Sequence, residues 1–510
     1  MGVRDLPGVD IEILDGQLGR RVGYATRIAI IGPSAKDFDI VEVPNSADAV
    51  DIIGVSPLLD AVLDAFLNGA GRIVVANAKA ADGAFGTSQA PTGQYWKIEG
   101  ATGKTPNLSH LVKLVITKGG GFGAAKYKIS TNGGWTYSDE RLMPDAASPY
   151  IDLDEKGDQK LHIWTDEANF TEFNAGEWSG IECTAPSGTT DSYLTALDNV
   201  LAWRDGQGRG IEGIIILFTN GTLDTQKGFI VDVLSKLHNA WQEQEYPVWA
   251  VVNGVKLAIP TLTWENDPIY RFSAEDIDTY VDNQVALMNA LRNIAGGYEE
   301  RVAVNVSYGF MQDWSYWKQP HVRSAIGALA GLIAKAKIHH CIGWVGEYRV
   351  AGMMRVEPYG SDSNYMDANR LTKLHEAHAI ALRTYPGYGI SPVYDWLVCS
   401  DDSDFFNIRY RRIMDYAVRA VQQEFTRFIN SPGADERAIG VLHSALAKPL
   451  DAIKVSEANP DGSIQDYELK LWPDEDILTN GIVHCELAIQ PVATKSYLKA
   501  KFRLAKKIGG

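Results

Sequence analysis

Four short stretches carry residue types that do chemistry, and none has the spacing the chemistry needs. His375-Glu-Ala-His378 brings two imidazoles and a carboxylate together. A zinc-hydrolase helix sets its histidines four apart, with the glutamate beside them as general base. Here they are three apart and no third ligand is apparent, which favours a plain helix surface. Gly119-Gly-Gly-Phe-Gly-Ala124 follows the apolar run 111–117. A dinucleotide loop needs a helix directly after it, and an alternating strand follows instead, so the glycines read as a turn. Asp152-Leu-Asp154-Glu-Lys-Gly157-Asp158 opens like a calcium loop. Its fifth position is Lys156 and its twelfth is Ile163, so the bidentate carboxylate is missing and a hairpin turn is expected. Gly32-Pro-Ser-Ala-Lys36 lacks the spacing and second glycine of a phosphate loop. The expectation is a non-enzyme with no catalytic residue, metal or cofactor. A metal-dependent hydrolase, with the His375–His378 helix lining a cleft, is kept as a lesser alternative.

The elements around these stretches belong to a large acidic protein. A length of 510 residues suggests about two to four domains. The net charge of −16 argues against general nucleic-acid binding, which needs basic surface. No run of eighteen apolar residues is present, so no membrane insertion is expected. Asp5, Asp10, Glu12 and Asp15 stand where a secretory signal would be apolar. The charge is uneven: after Glu486 there is no acidic residue, while Lys495, Lys499, Lys501, Arg503, Lys506 and Lys507 follow. An acidic body with a basic end can attract other copies of itself. Cys183, Cys341, Cys399 and Cys485 are widely spaced and form no CxxC pair, so free thiols are expected.

Val9, Asp10, Ile11, Glu12, Ile13 and Leu14 alternate as a strand and precede a Gly- and Arg-bearing linker. A strand isolated in this way needs a distant or intermolecular partner. Buried-type strands are predicted at 27–32, 72–76, 213–218, 248–252 and 302–306, with helices at 58–67, 229–241 and 274–294. That alternation implies a sheet covered on both faces. Residues 86–189 change texture to Gly, Thr, Trp and Tyr with short alternating runs, and read as a β-rich insertion. From 395 a long helix, about 405–429, precedes β segments to the end.

On that helix Ile408, Ile413, Ala417, Ala420, Val421, Phe425 and Phe428 form the apolar stripe, and Arg411, Asp415, Arg419 and Thr426 lie on another face. The end of the chain holds two strand patterns. Val483, Cys485, Leu487 and Ile489 share one face. After Pro491, Leu498, Ala500, Phe502 and Leu504 oppose Lys499, Lys501 and Arg503. Each can complete its own sheet or add to a neighbour's.

Taken in order, these segments resemble the contractile tail sheath family of phages, R-type pyocins and type VI secretion systems. The resemblance is carried by Thr26-Arg-Ile-Ala-Ile-Ile-Gly-Pro-Ser34, the helix 58–67, Asn68-Gly-Ala-Gly-Arg-Ile-Val-Val75, Leu382-Arg-Thr-Tyr-Pro-Gly-Tyr-Gly389, Val398-Cys-Ser-Asp-Asp-Ser-Asp404, Ile408-Arg-Tyr-Arg-Arg-Ile413 and Glu486-Leu-Ala-Ile-Gln-Pro-Val492. It implies an α/β (α+β multidomain) fold: an N-terminal arm at 1–24, a sheath-type core at 25–85 and 190–394, an outward β-rich insertion at 86–189, and a tube-facing C-terminal α+β domain with its own arm at 395–510. It implies hexameric rings stacked around an inner tube, contraction that drives the tube through a target envelope, and arms that donate strands to neighbours. Carried over, Val9 to Leu14 becomes one arm. Tyr497, Leu498, Lys499, Ala500, Lys501, Phe502, Arg503 and Leu504 become the other. Arg411, Arg412 and Arg419 become tube contacts. The implied partners are other copies of the chain, the tail tube protein, and baseplate and tail-terminator proteins. Assembly would occur in the host bacterial cytoplasm, before release in a virion tail. In such a particle the four cysteines become candidates for intersubunit disulfides, with Cys183 expected to be exposed and Cys485 buried. A baseplate or receptor-binding role in the same particle is the main alternative. The Trp-rich stretch 312–319 and the His375–His378 segment have no counterpart in the family pattern.

Overall fold

The computed structural model describes residues 27–492 except 154–158, 207, 245, 259–271, 296–299, 313, 315–317, 360–364, 401–402, 429–435, 457–458 and 474–482. The two expected arms, 9–14 and 497–504, lie outside the described residues, as does most of the carboxylate-rich turn at 152–158.

The chain opens with β1 (Ile28–Gly32), whose five residues are all buried, and continues through β2 (Ile40–Val43), α1 (Ser46–Ile53), α2 (Pro57–Leu67) and β3 (Ile73–Asn77). α2 begins where Ser56 Oγ accepts from the Leu59 N–H at 3.3 Å and Pro57 presets the first helical turn. The chain then leaves this body for β4 (Ala84–Phe85), β5 (Trp96–Gly100), β6 (His110–Lys118), β7 (Lys126–Ser130), β8 (Arg141–Leu142), β9 (Tyr150–Asp152), β10 (Lys160–Thr165) and β11 (Trp178–Thr184). It returns through α3 (Thr190–Ala202), β12 (Gly213–Ile216), α4 (Leu223–Gln244), β13 (Trp249–Asn253), α5 (Ala274–Ala295) and β14 (Val302–Asn305). The six-stranded sheet has the order β14-β13-β12-β1-β3-β2, parallel except for β2.

Both faces of that sheet are covered, which is why its strands are apolar throughout. Ile214, Leu234, Val252 and Met288 belong to the core on one side, with Leu371 and Leu374 of a later helix. Ile30, Leu59, Val75 and Leu329 belong to the other. The chain continues through β15 (Tyr308–Gln312), β16 (Pro320–Ser324), α6 (Ile326–Lys335), β17 (Met353–Glu357), α7 (Ala368–Glu376), β18 (Leu382–Tyr385) and β19 (Gly389–Pro392), with α7 on the first face and α6 on the second. α6 packs closely on α2 because Gly327 and Gly331 have no Cβ: one at Gly331 would stand 2.3 Å from the Ala65 carbonyl oxygen.

The segment between β3 and α3 forms two sheets, β4-β11-β6-β7-β8 and β5-β10-β9, around a core that includes Trp96, Ile98, Leu114, Ile129 and Phe173. It is tied to β16 by Thr131, whose N–H donates to Gln319 Oε1 at 2.7 Å, and by Asn132, whose Nδ2 donates to the Pro320 carbonyl at 2.9 Å. The chain ends its described course with α8 (Ile408–Phe428), α9 (Glu436–Ile453), β20 (Ile464–Pro473) and β21 (Val483–Pro491). α9 corrects the expectation of β segments alone after the long helix. Leu442, Leu446 and Leu450 bury one helical face there, and Pro449 is accommodated near the helix end.

Candidate assembly interface

α8 begins at Asn407, whose Oδ1 accepts the Tyr410 N–H at 2.9 Å. Most of its first half is buried, charges included. Arg301, at the start of β14, donates through Nη1 to both Asp415 oxygens at 3.2 Å and to the Val248 carbonyl at 3.3 Å. Arg409 Nη1 lies 3.7 Å from Asp395 Oδ1, and all four of these side chains are 1–2% exposed. Charges this deep persist only when paired, because removing an ion from water costs several kcal/mol.

This burial overturns two expected tube contacts. Arg411 Nε donates to the Glu300 carbonyl at 3.0 Å, and its guanidinium packs over Phe405. Arg412 Nη2 donates to the Ala336 carbonyl at 2.8 Å, at the C-terminal end of α6, where helix carbonyls lack partners. Burial pulls its pKa down to about 10. Both arginines are clamps between α8 and the core, not an outward face. Arg419 is part-exposed: it donates to the Pro247 carbonyl at 3.3 Å and lies 3.8 Å from Glu212.

The second half of α8 packs with α9 and the ribbon β20–β21 through Ala417, Val421, Leu446, Leu450 and Leu469. β20 and β21 pair antiparallel, from Ile464 opposite Pro491 to Pro473 opposite Val483. Apart from a bridge between Lys454 and Ile464, no other strand joins the ribbon among the described residues. Along β20 the Ile464 carbonyl accepts the Val455 N–H at 2.9 Å and the Leu469 carbonyl lies 3.2 Å from His443 Nε2. Val483, Leu487 and Ile489 turn toward the helices, while Trp472 is 45% exposed and stacks on His484.

The cysteines reverse the sequence expectation. Cys183 is buried in the insertion core on β11, and burial pushes its thiol up to about 12. Cys399 is buried and lies 3.4 Å from His378 Nδ1. Cys341 is half-buried, with Sγ donating to Asp395 Oδ1 at 3.1 Å. Cys485 is the exposed one, because a two-stranded ribbon covers its face only in part. Among the described residues, Cys183 and Cys399 are withdrawn as disulfide candidates by their burial.

The sequences that looked chemical serve packing. His375 Nδ1 accepts the Trp396 indole N–H at 3.0 Å, and His378, at φ 64, stacks on the same indole at 4.1 Å. Burial lowers both imidazole pKa values, that of His378 to about 4, so both are neutral at pH 7. Among the described residues, no three His, Cys, Asp or Glu side chains are arranged to hold a metal. Gly120 and Gly123, at φ 146 and 71, turn the chain from β6 into β7. Ser34 Oγ donates to the Ile53 carbonyl at 2.8 Å, which closes the Gly32–Lys36 loop onto α1. Sequence reasoning missed Glu300, Arg301, Asp395 and Arg409, whose partners are remote in the chain and have no local pattern.

A family model described as DUF2586, N-terminal domain, matches residues 6–389. Among solved structures, the chain is similar to the helical sheath of the anti-feeding prophage in its contracted state, with TM-score 0.50 and 12% identity over 98% of this chain and 99% of that chain. It is similar to the contracted sheath complex of PVC, an extracellular contractile injection system, with TM-score 0.50 and 11% identity over 99% of each. The sheath tail protein of Listeria innocua aligns with TM-score 0.49 and 12% identity over 93% of each chain. No curated protein sequence matches. The fold is thus a mixed α/β fold of the sheath type.

Proposed function

Since the chain belongs to the DUF2586 family, with a sheath-type fold, we propose that it is the sheath subunit of a contractile, phage-tail-like injection particle. Copies polymerise as stacked hexameric rings around an inner tube, and contraction drives the tube through the target envelope. Other copies, the tube protein, and baseplate and tail-terminator proteins are the partners. Assembly takes place in the bacterial cytoplasm, and the finished particle acts outside.

The observation that carries this reading is the ribbon β20–β21. A two-stranded sheet is marginal by itself, and among the described residues no third strand flanks this one beyond the Lys454–Ile464 bridge, while a helix pair anchors it to the body. Residues 9–14 and 497–504 have the alternating pattern of strands that would complete such a sheet in another copy. Each added strand would make about four to six backbone hydrogen bonds at ~1 kcal/mol net each. Several such tethers per copy would keep neighbours joined while bodies rotate between two packings. The energy for contraction then comes from body interfaces that match better in the shorter state. Arg419 remains a proposed tube contact, as the part-exposed member of the three arginines.

Negative-stain microscopy of the purified chain tests this. Striated tubes are the expected result, and deletion of residues 1–15 should abolish them while the monomer keeps its circular dichroism spectrum. A small closed oligomer from the intact chain would instead favour a baseplate role.

A further inference from the structure

A second feature lies on the other side of the α8 joint. α7, β18, the segment leading to Trp396 and the first turn of α8 line a half-open cavity of about 570 Å³. That size suits a small organic group. Its walls are aromatic: Tyr394 meets Trp396 at 4.6 Å between centroids, Trp396 meets Phe406 at 5.8 Å, and Phe406 meets Tyr410 at 5.3 Å. Into this aromatic-walled cavity the chain sets two guanidiniums. Arg409 is held between the rings of Tyr394 and Tyr410, at 5.0 and 5.2 Å. Arg383 is exposed and lies over Tyr385 at 5.2 Å.

The polar groups facing the cavity are chiefly donors. Arg409 is 1% exposed, yet its Nε and Nη1 have no hydrogen-bond acceptor; Nη2 donates to the Tyr394 hydroxyl. Nη1 faces the Asp395 carboxylate at 3.7 Å, so Nε is the donor left without an acceptor, and buried donors are almost always satisfied. His375 also lines the cavity. Its Nδ1 already accepts from Trp396, so the neutral ring carries its proton on Nε2, another donor.

Charge decides the class of ligand. Arg409 is balanced by Asp395, 3.7 Å away. Arg383 forms no ion pair with a described carboxylate. Among the described residues the two guanidiniums of the cavity thus share one carboxylate partner, and the remaining single charge matches a carboxylate better than a dianionic phosphate. Guanidiniums bind carboxylates through paired N–H bonds.

We propose that this cavity binds a carboxylate carried on a flat apolar body. The source is either a free aryl acid or an Asp or Glu beside an apolar residue in another copy of this chain. The cavity belongs to the single chain, so the inference stands whether or not the chain polymerises.

Benzoate is the probe. Ligand-observed NMR on the dispersed full-length chain should show saturable binding, with benzyl alcohol binding at least about tenfold more weakly. Arg383→Gln, at an exposed position that leaves folding intact, should weaken benzoate by about tenfold. Arg409→Lys keeps the charge but removes the fork, and should weaken it as well. Equal binding of benzyl alcohol, no effect of Arg383→Gln, or tighter binding of phenyl phosphate than of benzoate would each overturn the assignment. The same titration on assembled particles separates the sources. Loss of benzoate binding on assembly identifies a neighbouring copy as the natural occupant, and retained binding identifies a free acid. Absence of assembled particles would count against the proposed function alone, since the measurement on dispersed chains is unaffected.

Discussion

Asp415→Ala should destabilise the junction between α8 and the core by about 3–5 kcal/mol. The Asp415 carboxylate meets Arg301 Nη1 at 3.2 Å through both oxygens, and both side chains are almost wholly buried. At that distance the Coulomb attraction is ~5 kcal/mol with an effective dielectric constant near 20. The net cost of breaking such a pair is of the same order, because the guanidinium stays buried after losing this carboxylate. Arg301 also lies 5.0 Å from the Trp241 ring, so tryptophan emission reports on the joint. The assay is equilibrium urea unfolding of the dispersed chain, followed by tryptophan fluorescence and circular dichroism together. Asp415→Ala should move the first transition to lower urea. The double variant Arg301→Met/Asp415→Leu, which removes both charges and keeps the volume apolar, should recover to within about 1 kcal/mol of the parent. A loss below about 1 kcal/mol for Asp415→Ala would refute the argument, since it would mean that water reaches the pair. Arg412→Glu should likewise fail at the level of folding and not only of partner binding.

Three further outcomes follow from particular side chains. Burial outweighs the neighbouring Arg355 and lifts the Glu357 carboxyl from 4.5 to about 7. The folded chain therefore binds more protons than the unfolded one between those values. This contribution is complete below pH 4.5 and is lost as pH rises toward 7, by up to about 3 kcal/mol. Glu357→Gln should flatten that part of a melting-temperature profile against pH. Gly331→Val forces atoms into the α2–α6 contact, where even a Cβ stands 2.3 Å from a carbonyl oxygen, and should cost about 1–3 kcal/mol in urea unfolding. In the native chain, alkylation followed by mass spectrometry should label Cys485 and leave Cys183 and Cys399 unlabelled until denaturation. Non-reducing gels of assembled particles should show any ladder vanish in Cys485→Ser.

The sequence alone determined the features that repeat along the chain. The buried strands and amphipathic helices of the six-stranded sheet declare themselves because a strand covered on both faces is apolar throughout and its helices keep a 3.6-residue period. The β-rich texture of 86–189 is compositional and equally local. α9 was missed although Leu442, Leu446 and Leu450 have helical spacing, because Pro449 is a strong local argument against a helix that burial of the leucines overrides. What only the tertiary structure decided is where each charge points. Arg411, Arg412 and Asp415 have the sequence signature of a solvated helix face. Glu300, Arg301 and Ala336, remote in the chain, turn that face into the inside of a joint. Periodicity records that a side chain is polar, but the partner that makes burial affordable lies at a distance no local pattern encodes. The same holds for Arg409 and the rings around it: the residues of the cavity come from α7, β18 and α8, and only folding brings them to one place.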